Sequence, residues 1–173
     1  MKIARLYLIL ATLLLAVTSV AQERPKAEVF GGYSFRTQGD MDIANGWDAS
    51  VSANLNRWLG AVGDFSGYYR SDHGTTQRNY NFLFGPKVTY RHSSLSPFGQ
   101  VLFGVAHQQL NASSTKTTDN AFAMAAGGGI DYGFNKHFSA RLLQADYLLT
   151  RFGGNRQNTA RLSFGFVLKL GNR

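Results

Sequence analysis

The stretch Ser163-Phe164-Gly165-Phe166-Val167-Leu168-Lys169-Leu170, followed by Gly171, Asn172 and Arg173, decides the fold. Successive strand residues face opposite sides of a sheet. Phe164, Phe166, Leu168 and Leu170 therefore share one face, and Ser163, Gly165, Val167 and Lys169 share the other. This is an amphipathic strand, and the same period of two recurs back along the chain. Its cleanest instance sets Trp47, Ala49, Val51, Ala53 and Leu55 against Asp48, Ser50, Ser52 and Asn54.

Six further segments read the same way. Val29, Tyr33 and Phe35 oppose Glu28, Phe30, Ser34 and Arg36; Leu59, Ala61, Phe65 and Tyr69 oppose Asp64, Ser66 and Tyr68. Tyr80, Phe82, Phe84, Val88 and Tyr90 oppose Asn79, Asn81, Lys87 and Thr89. Pro86 lies inside that strand, where its missing N–H predicts a bulge or kink. Val101, Phe103 and Val105 oppose Gln100, Leu102 and Ala106, an unusually apolar second face. Phe122, Met124, Ala126, Ile130, Tyr132 and Phe134 oppose Ala123, Ala125, Gly127, Gly129 and Asp131. Leu143, Ala145, Tyr147 and Leu149 oppose Gln144 and Asp146. The eighth segment is residues 159–170. Polar loops are expected at 37–45, 70–78, 110–120 and 151–158, and short turns at Asn56-Arg57, 92–96 and Asn135-Lys136. Long and short connections alternate, which is the up-and-down pattern of a membrane barrel.

The start of the chain carries Lys2 and Arg5, an apolar run from Leu6 to Ala16, and Ser19-Val20-Ala21 as a small-x-small cleavage site. Residues 1–21 thus read as a signal peptide, and the run is shorter than the roughly 20 residues of a spanning helix. Residues 22–173 are then one domain. Of 18 lysines and arginines against 10 carboxylates, only Lys2 and Arg5 fall in the leader, which leaves the remainder at +6. The chain has no cysteine, which excludes a disulfide framework and thiolate metal sites.

Eight strands of this length suit a bilayer, in which they must close on one another to satisfy their backbones. The expected fold is all-β, an eight-stranded antiparallel up-and-down transmembrane β-barrel. Asp64, Lys87, Asp131, Gln144, Asp146, Arg161 and Lys169 fall on the faces assigned to the lumen. Trp47, Trp58, Tyr69, Tyr80, Tyr90, Tyr132 and Phe134 stand near strand ends as two interfacial girdles. A water-soluble, lipocalin-like barrel would place the same faces the other way round, so which face is exposed decides between them.

The terminal spacing of Ser163, Gly165, Leu168 and Leu170 resembles the C-terminal insertion signal of bacterial outer-membrane barrels, with Leu170 where that signal usually ends in Phe. With the leader and the eight strands, residues 22–171 resemble the OmpA-like outer-membrane β-barrel domain family. Arg141 to Phe152 resembles the penultimate strand of its small members. The resemblance implies the outer membrane of a bacterium, with both termini periplasmic. It implies insertion by the barrel-assembly machinery and contact with outer-membrane lipid and lipopolysaccharide. Unlike full-length OmpA, no peptidoglycan-binding domain is expected after the barrel, and no cofactor is implied.

The lumen charges read as a structural ion-pair network or a polar conduit. Because side chains just fill an eight-stranded barrel and buried charges persist when paired, pairing is the expected arrangement. Arg70, Arg78, Lys116, Arg151 and Arg156, with Arg36, are assigned to the external loops, where they suit lipopolysaccharide phosphates or plain solvation. The basic residues form no stripe, so nucleic acid is not an expected partner. His137-Phe138-Ser139 resembles the His-x-Ser pair of an eight-stranded lipid A deacylase, whose histidine is oriented by a Glu. The only glutamates here are Glu23 and Glu28, so no orienting acid is at hand. His73, His92 and His107 lack ligand-like spacing, and no metal is expected. The expected function is a structural or surface-interaction role without catalysis. A narrow channel for small solutes and a lipid-modifying enzyme are the alternatives.

Overall fold

The structure is a computed structural model and describes residues 25–38, 42–72, 75–112, 115–152 and 155–172. The expected leader lies outside them. Eight strands, β1 (Pro25–Gln38), β2 (Asp42–Asn54), β3 (Leu59–Asp72), β4 (Thr75–Thr89), β5 (Leu95–Ala112), β6 (Thr115–Gly133), β7 (Phe138–Phe152) and β8 (Asn155–Asn172), pair antiparallel in chain order. β8 returns to β1 and closes the barrel. Following partners once around, from Phe166 through Gly31, Ala49, Phe65, Phe82, Val105, Phe122 and Arg151, leads back to Arg156. The path slips ten residues along β8, a shear that tilts every strand and narrows the barrel to a width that side chains fill.

The apolar faces point outward. Phe84 and Phe166 are 70% and 68% exposed, while Arg161, Asp146 and Lys87 are buried inside. A water-soluble barrel would invert this arrangement, so the barrel is built for lipid. Tyr69 and Tyr80 meet edge to face toward one rim, and Trp58 with Tyr90 and Tyr132 with Phe134 do so toward the other.

Two short turns share one chemistry. Asn56 Oδ1 accepts the N–H groups of Trp58 and Leu59, and Asn135 Oδ1 accepts those of His137 and Phe138. An Asn side chain thus replaces backbone partners at each reversal. The third turn needs only Ser93 and Ser94 between the His92–Leu95 pair, so β5 begins at Leu95, within the expected turn.

The expected polar loops are mostly strand. Pairing continues to Gln38↔Asp42, Asp72↔Thr75, Ala112↔Thr115 and Phe152↔Asn155. Ser-, Thr- and Asn-rich sequence reads as loop because it lacks an apolar face, yet a ladder beyond the bilayer needs none, and Thr favours strands.

Pro86 makes no bulge. β3 and β4 keep one register throughout, and the β4–β5 register is the same on either side of Gly85 and Pro86, where pairing lapses. The fixed proline φ fits an extended chain, so the ring removes a hydrogen bond without inserting a residue. The bulge is in β7. Ile130 pairs with Leu143 and Asp131 with Arg141, while on the other side Arg141 pairs with Gly165 and Gln144 with Ser163. Leu142 and Leu143 both face outward, so Arg141 and Gln144 both face inward.

Deletion of Leu143 should close this bulge without turning any side chain over. Deletion of Val51, in a regular stretch of β2, should invert half a strand. After refolding in detergent, the unboiled gel band of the folded barrel should persist in the first variant and be lost in the second.

Candidate functional site

The barrel interior is organised around Arg161 on β8. Its Nη1 and Nη2 donate to Asp64 Oδ1 and Oδ2 at 2.8 and 2.9 Å, and its Nε and Nη2 donate to Asp146 Oδ2 at 3.0 and 2.7 Å. Asp48 Oδ2 lies 3.7 Å from Nη1 and accepts from Ser163 Oγ at 2.8 Å. Ser163, Ser34 and Tyr68 extend the network through contacts of 2.9 and 2.8 Å, and Asn81 donates to Ser66. One guanidinium, whose rigid fork of donors suits carboxylates, thereby joins β2, β3, β7 and β8.

A second cation, Arg141, lies nearer the short-turn end. It grips Asp131 with Nε and Nη2 at 2.8 and 3.2 Å and donates Nη1 to Gln144 at 2.6 Å. Gln144 and Gln100 in turn donate to Asp146, linking the two centres. The Arg141 guanidinium stands between the rings of Phe30 and Phe98, at 4.2 and 4.4 Å from their centroids. A Cβ at Gly32 or Gly129 would strike those rings, so the two glycines make room for the sandwich. Beyond it, Glu28 takes Lys87 at 3.2 Å and Arg91 at 2.8 Å, and Asn54 donates to the same carboxylate.

Of the seven residues assigned to a lumen network, Asp64, Gln144, Asp146 and Arg161 meet at one centre. Asp131 and Lys87 lie in the neighbouring clusters. Lys169 is half-buried at the short-turn end, with its Nζ beside Gly133. Sequence reading left Glu28, Arg36, Asp48 and Arg141 out of that network. The first three lie on the inward period and were legible there, whereas strict alternation from Leu143 turns Arg141 outward. The adjacent leucines Leu142-Leu143 were the available signal of the slip.

Arg36 is also corrected in place. It is buried inside the barrel, donates to Thr159 and stacks over Tyr68, because β1 continues through the segment read as a loop. Arg78 and Arg151 are exposed on outward positions of β4 and β7, beyond Tyr80 and Leu149 toward the longer hairpins. His107, with contacts of 2.7 and 3.1 Å to Asn120 and Gln109, stands on the same outer face. The side chains of Arg70, Lys116 and Arg156 lie outside the described ones.

Within the terminal strand, Ser163 is bonded inside, Gly165 pairs with Gly32, and Leu168 and Leu170 face outward. Ser139 Oγ is buried without a hydrogen-bond partner, while His137 is exposed in its turn. The pair forms no nucleophile–base contact.

One level of the barrel is sealed. Allowing for strand tilt, Ser34, Asp48, Ser66, Asn81, Leu102, Ala123, Leu148 and Arg161 supply one residue from each strand, and all are 0 or 1% exposed. The seal is polar on the β8-β1-β2-β3-β4 side. Across from it, Val62, Leu83, Leu102, Ala106, Ala123, Ala125 and Leu148 pack as an apolar cluster.

The family described as outer membrane protein beta-barrel domain matches residues 7–169. No curated protein matches the sequence. Among solved structures, Neisserial surface protein A is 13% identical, with a TM-score of 0.60 over 83% of this chain and 96% of that one. The attachment invasion locus protein Ail of Yersinia pestis is 14% identical, with a TM-score of 0.55 over 85% and 99%. The N-terminal β-barrel domain of Pseudomonas aeruginosa OprF is 17% identical, with a TM-score of 0.54 over 84% and 99%. At these identities the likeness is one of fold.

Replacing Arg161 by Met should leave three buried carboxylates facing one another and lower stability by about 3–5 kcal/mol. Lys87→Met should cost less, since Glu28 keeps Arg91. Urea unfolding from lipid vesicles checks the order.

Proposed function

The chain belongs to the outer membrane protein β-barrel domain family, and on that footing we propose that it serves as a non-catalytic, non-conducting scaffold whose external rim meets lipopolysaccharide. The observation that carries this reading is the sealed level, where every strand contributes a side chain that water does not reach. A narrow channel for small solutes would need to displace the Arg161 guanidinium from Asp64 and Asp146. Lipid-modifying chemistry would need a base for Ser139, whose hydroxyl has none.

In the proposed orientation the short turns and both chain ends lie in the periplasm, and the hairpins beyond Tyr69 and Tyr80 stand outside. The reach of the hairpins supports it. β5 and β6 run seven residues past Val105 and Phe122 to Ala112 and Thr115, whereas the opposite turns lie directly at Trp58, Tyr90 and Phe134. Outer-membrane barrels keep their short ends on the periplasmic side. Residues 1–21 act as the export signal, and Ser163, Gly165, Leu168 and Leu170 present the terminal strand to the barrel-assembly machinery. Arg78 and Arg151, placed just beyond the outer end of the apolar belt, are at the height of lipid phosphates. Arg70 and Arg156 belong to the same two hairpins as Arg78 and Arg151, and Lys116 to the β5–β6 hairpin between them. Charge-assisted hydrogen bonds from guanidinium to phosphate are the contacts expected there.

Two measurements test this reading. In planar bilayers the refolded protein should show no ion conductance, and stepwise conductance in the wild type would overturn the sealed scaffold. Titrated with lipopolysaccharide in detergent, an Arg78→Ala/Arg151→Ala variant should bind at least about tenfold more weakly than wild type. Equal binding would remove those residues from the contact.

A further inference from the structure

On the outer surface at the short-turn end lies a cavity of about 480 Å³, bounded by Tyr90, His92, Leu95, Pro97, Ile130 and Tyr132. It opens onto a trough. Above the Pro97↔Ile130 pair the next outward-facing pair is Gly99↔Gly128, and above that comes Val101↔Ala126. Two glycines side by side leave bare backbone as a floor, while Val88 and Leu143 stand exposed on the flanking strands. The depression spans β5 and β6 between side chains of β4 and β7, about two strand spacings or roughly 10 Å, which gives an acyl chain room to lie in it.

The mouth of the cavity has different chemistry. Tyr90 stacks on His92 at 6.2 Å and 12°, and its other neighbour is the Trp58 ring at 5.8 Å. The Arg57 guanidinium lies 5.2 Å over that indole. Ser93 and Ser94 complete the rim. Cation, imidazole and hydroxyls are thus gathered at a girdle where aromatic rings mark the lipid headgroups, with an apolar trough leading into the bilayer. Among the described residues of this end, a second copy of the chain offers the Arg57 guanidinium no free acid, since Glu28 and Asp131 are buried inside the barrel and paired.

We propose that this cavity and trough form a docking site for one membrane glycerophospholipid, its phosphate at the Arg57–Trp58–Tyr90–His92 rim and an acyl chain over Gly99 and Gly128. Assigning the lipid to the phospholipid leaflet rests on the orientation proposed above.

Native mass spectrometry of the intact refolded protein, titrated in detergent with palmitoyl-oleoyl phosphatidylethanolamine, tests the site. Gly99→Leu fills the trough, and a Cβ there makes only ordinary contact, 3.8 Å from the Gly127 carbonyl. Gly63→Leu is the control, an outward glycine whose Cβ would touch nothing. Wild type and Gly63→Leu should retain one lipid per barrel, and Gly99→Leu should retain it at least about tenfold less well. Tyr90→Ala, which removes a wall without adding bulk, should show the same loss. Equal retention by all four proteins would reduce the lipid to unspecific solvent and overturn the site. A protein dimer lost in Gly99→Leu would overturn it in favour of a self-interface. Gly99-dependent retention of purified lipopolysaccharide, and not of phospholipid, would also overturn it and would reverse the proposed orientation, whereas loss of all Gly99 dependence would leave that orientation standing.

Discussion

A single guanidinium that answers carboxylates from three strands is the contact on which this interior depends. Arg161 is wholly buried, as are the Asp64 and Asp146 side chains it holds. Ions that far from water are tolerated only when paired and fully hydrogen-bonded. Most of the interior follows the same rule, although Arg36 Nε and Asp48 Oδ1 are buried without a hydrogen-bond partner. Lys87 and Arg91 meet Glu28, Arg141 meets Asp131, and Arg161 meets Asp48, Asp64 and Asp146, while Arg36 donates to Thr159 and lies over Tyr68. The backbone pairs around a closed circle apart from the lapses at Gly85-Pro86 and Leu142, and the buried ions are gathered inside, away from lipid. The apolar cluster on β3 to β7 fills the space that the polar half does not need.

Which faces point inward was legible wherever the chain alternates strictly. Asp48, Ser50 and Ser52 are buried as their period requires, and Trp47, Val51 and Leu55 point out. Two things were not legible. The ends of the long hairpins lie beyond the bilayer, where neither face needs to be apolar, so residues such as Thr115 to Asp119 carry no sign of being strand. The bulge at Leu142-Leu143 breaks the count, and everything on its N-terminal side changes face relative to a rule started from Leu149. Arg141 was lost to the reading for that reason alone. Pro86 shows the converse error, since a residue that disrupts hydrogen bonding need not disrupt register.

Function was less legible than fold because the two use different parts of the surface. Periodicity reports burial, and burial is decided by the whole ladder. The surfaces that meet other molecules are set by single positions, among them the Gly99↔Gly128 pair and the outward placement of Arg78 and Arg151. None of these departs from its strand pattern enough to be noticed without the neighbouring strands beside it.

The two asparagine turns bear on the order in which the barrel assembles. Asn56 and Asn135 bond to backbone groups two and three residues away, so the β2–β3 and β6–β7 reversals carry their own instructions. The Arg161–Asp64 pair spans 97 residues and the Ser163–Asp48 pair 115. Loop-closure entropy makes such distant contacts late and the local ones early. Hairpins therefore form with their charged faces still wet, and the ions lose their water together when the final strand seats, which makes dehydration of the interior and closure of the ring one cooperative event.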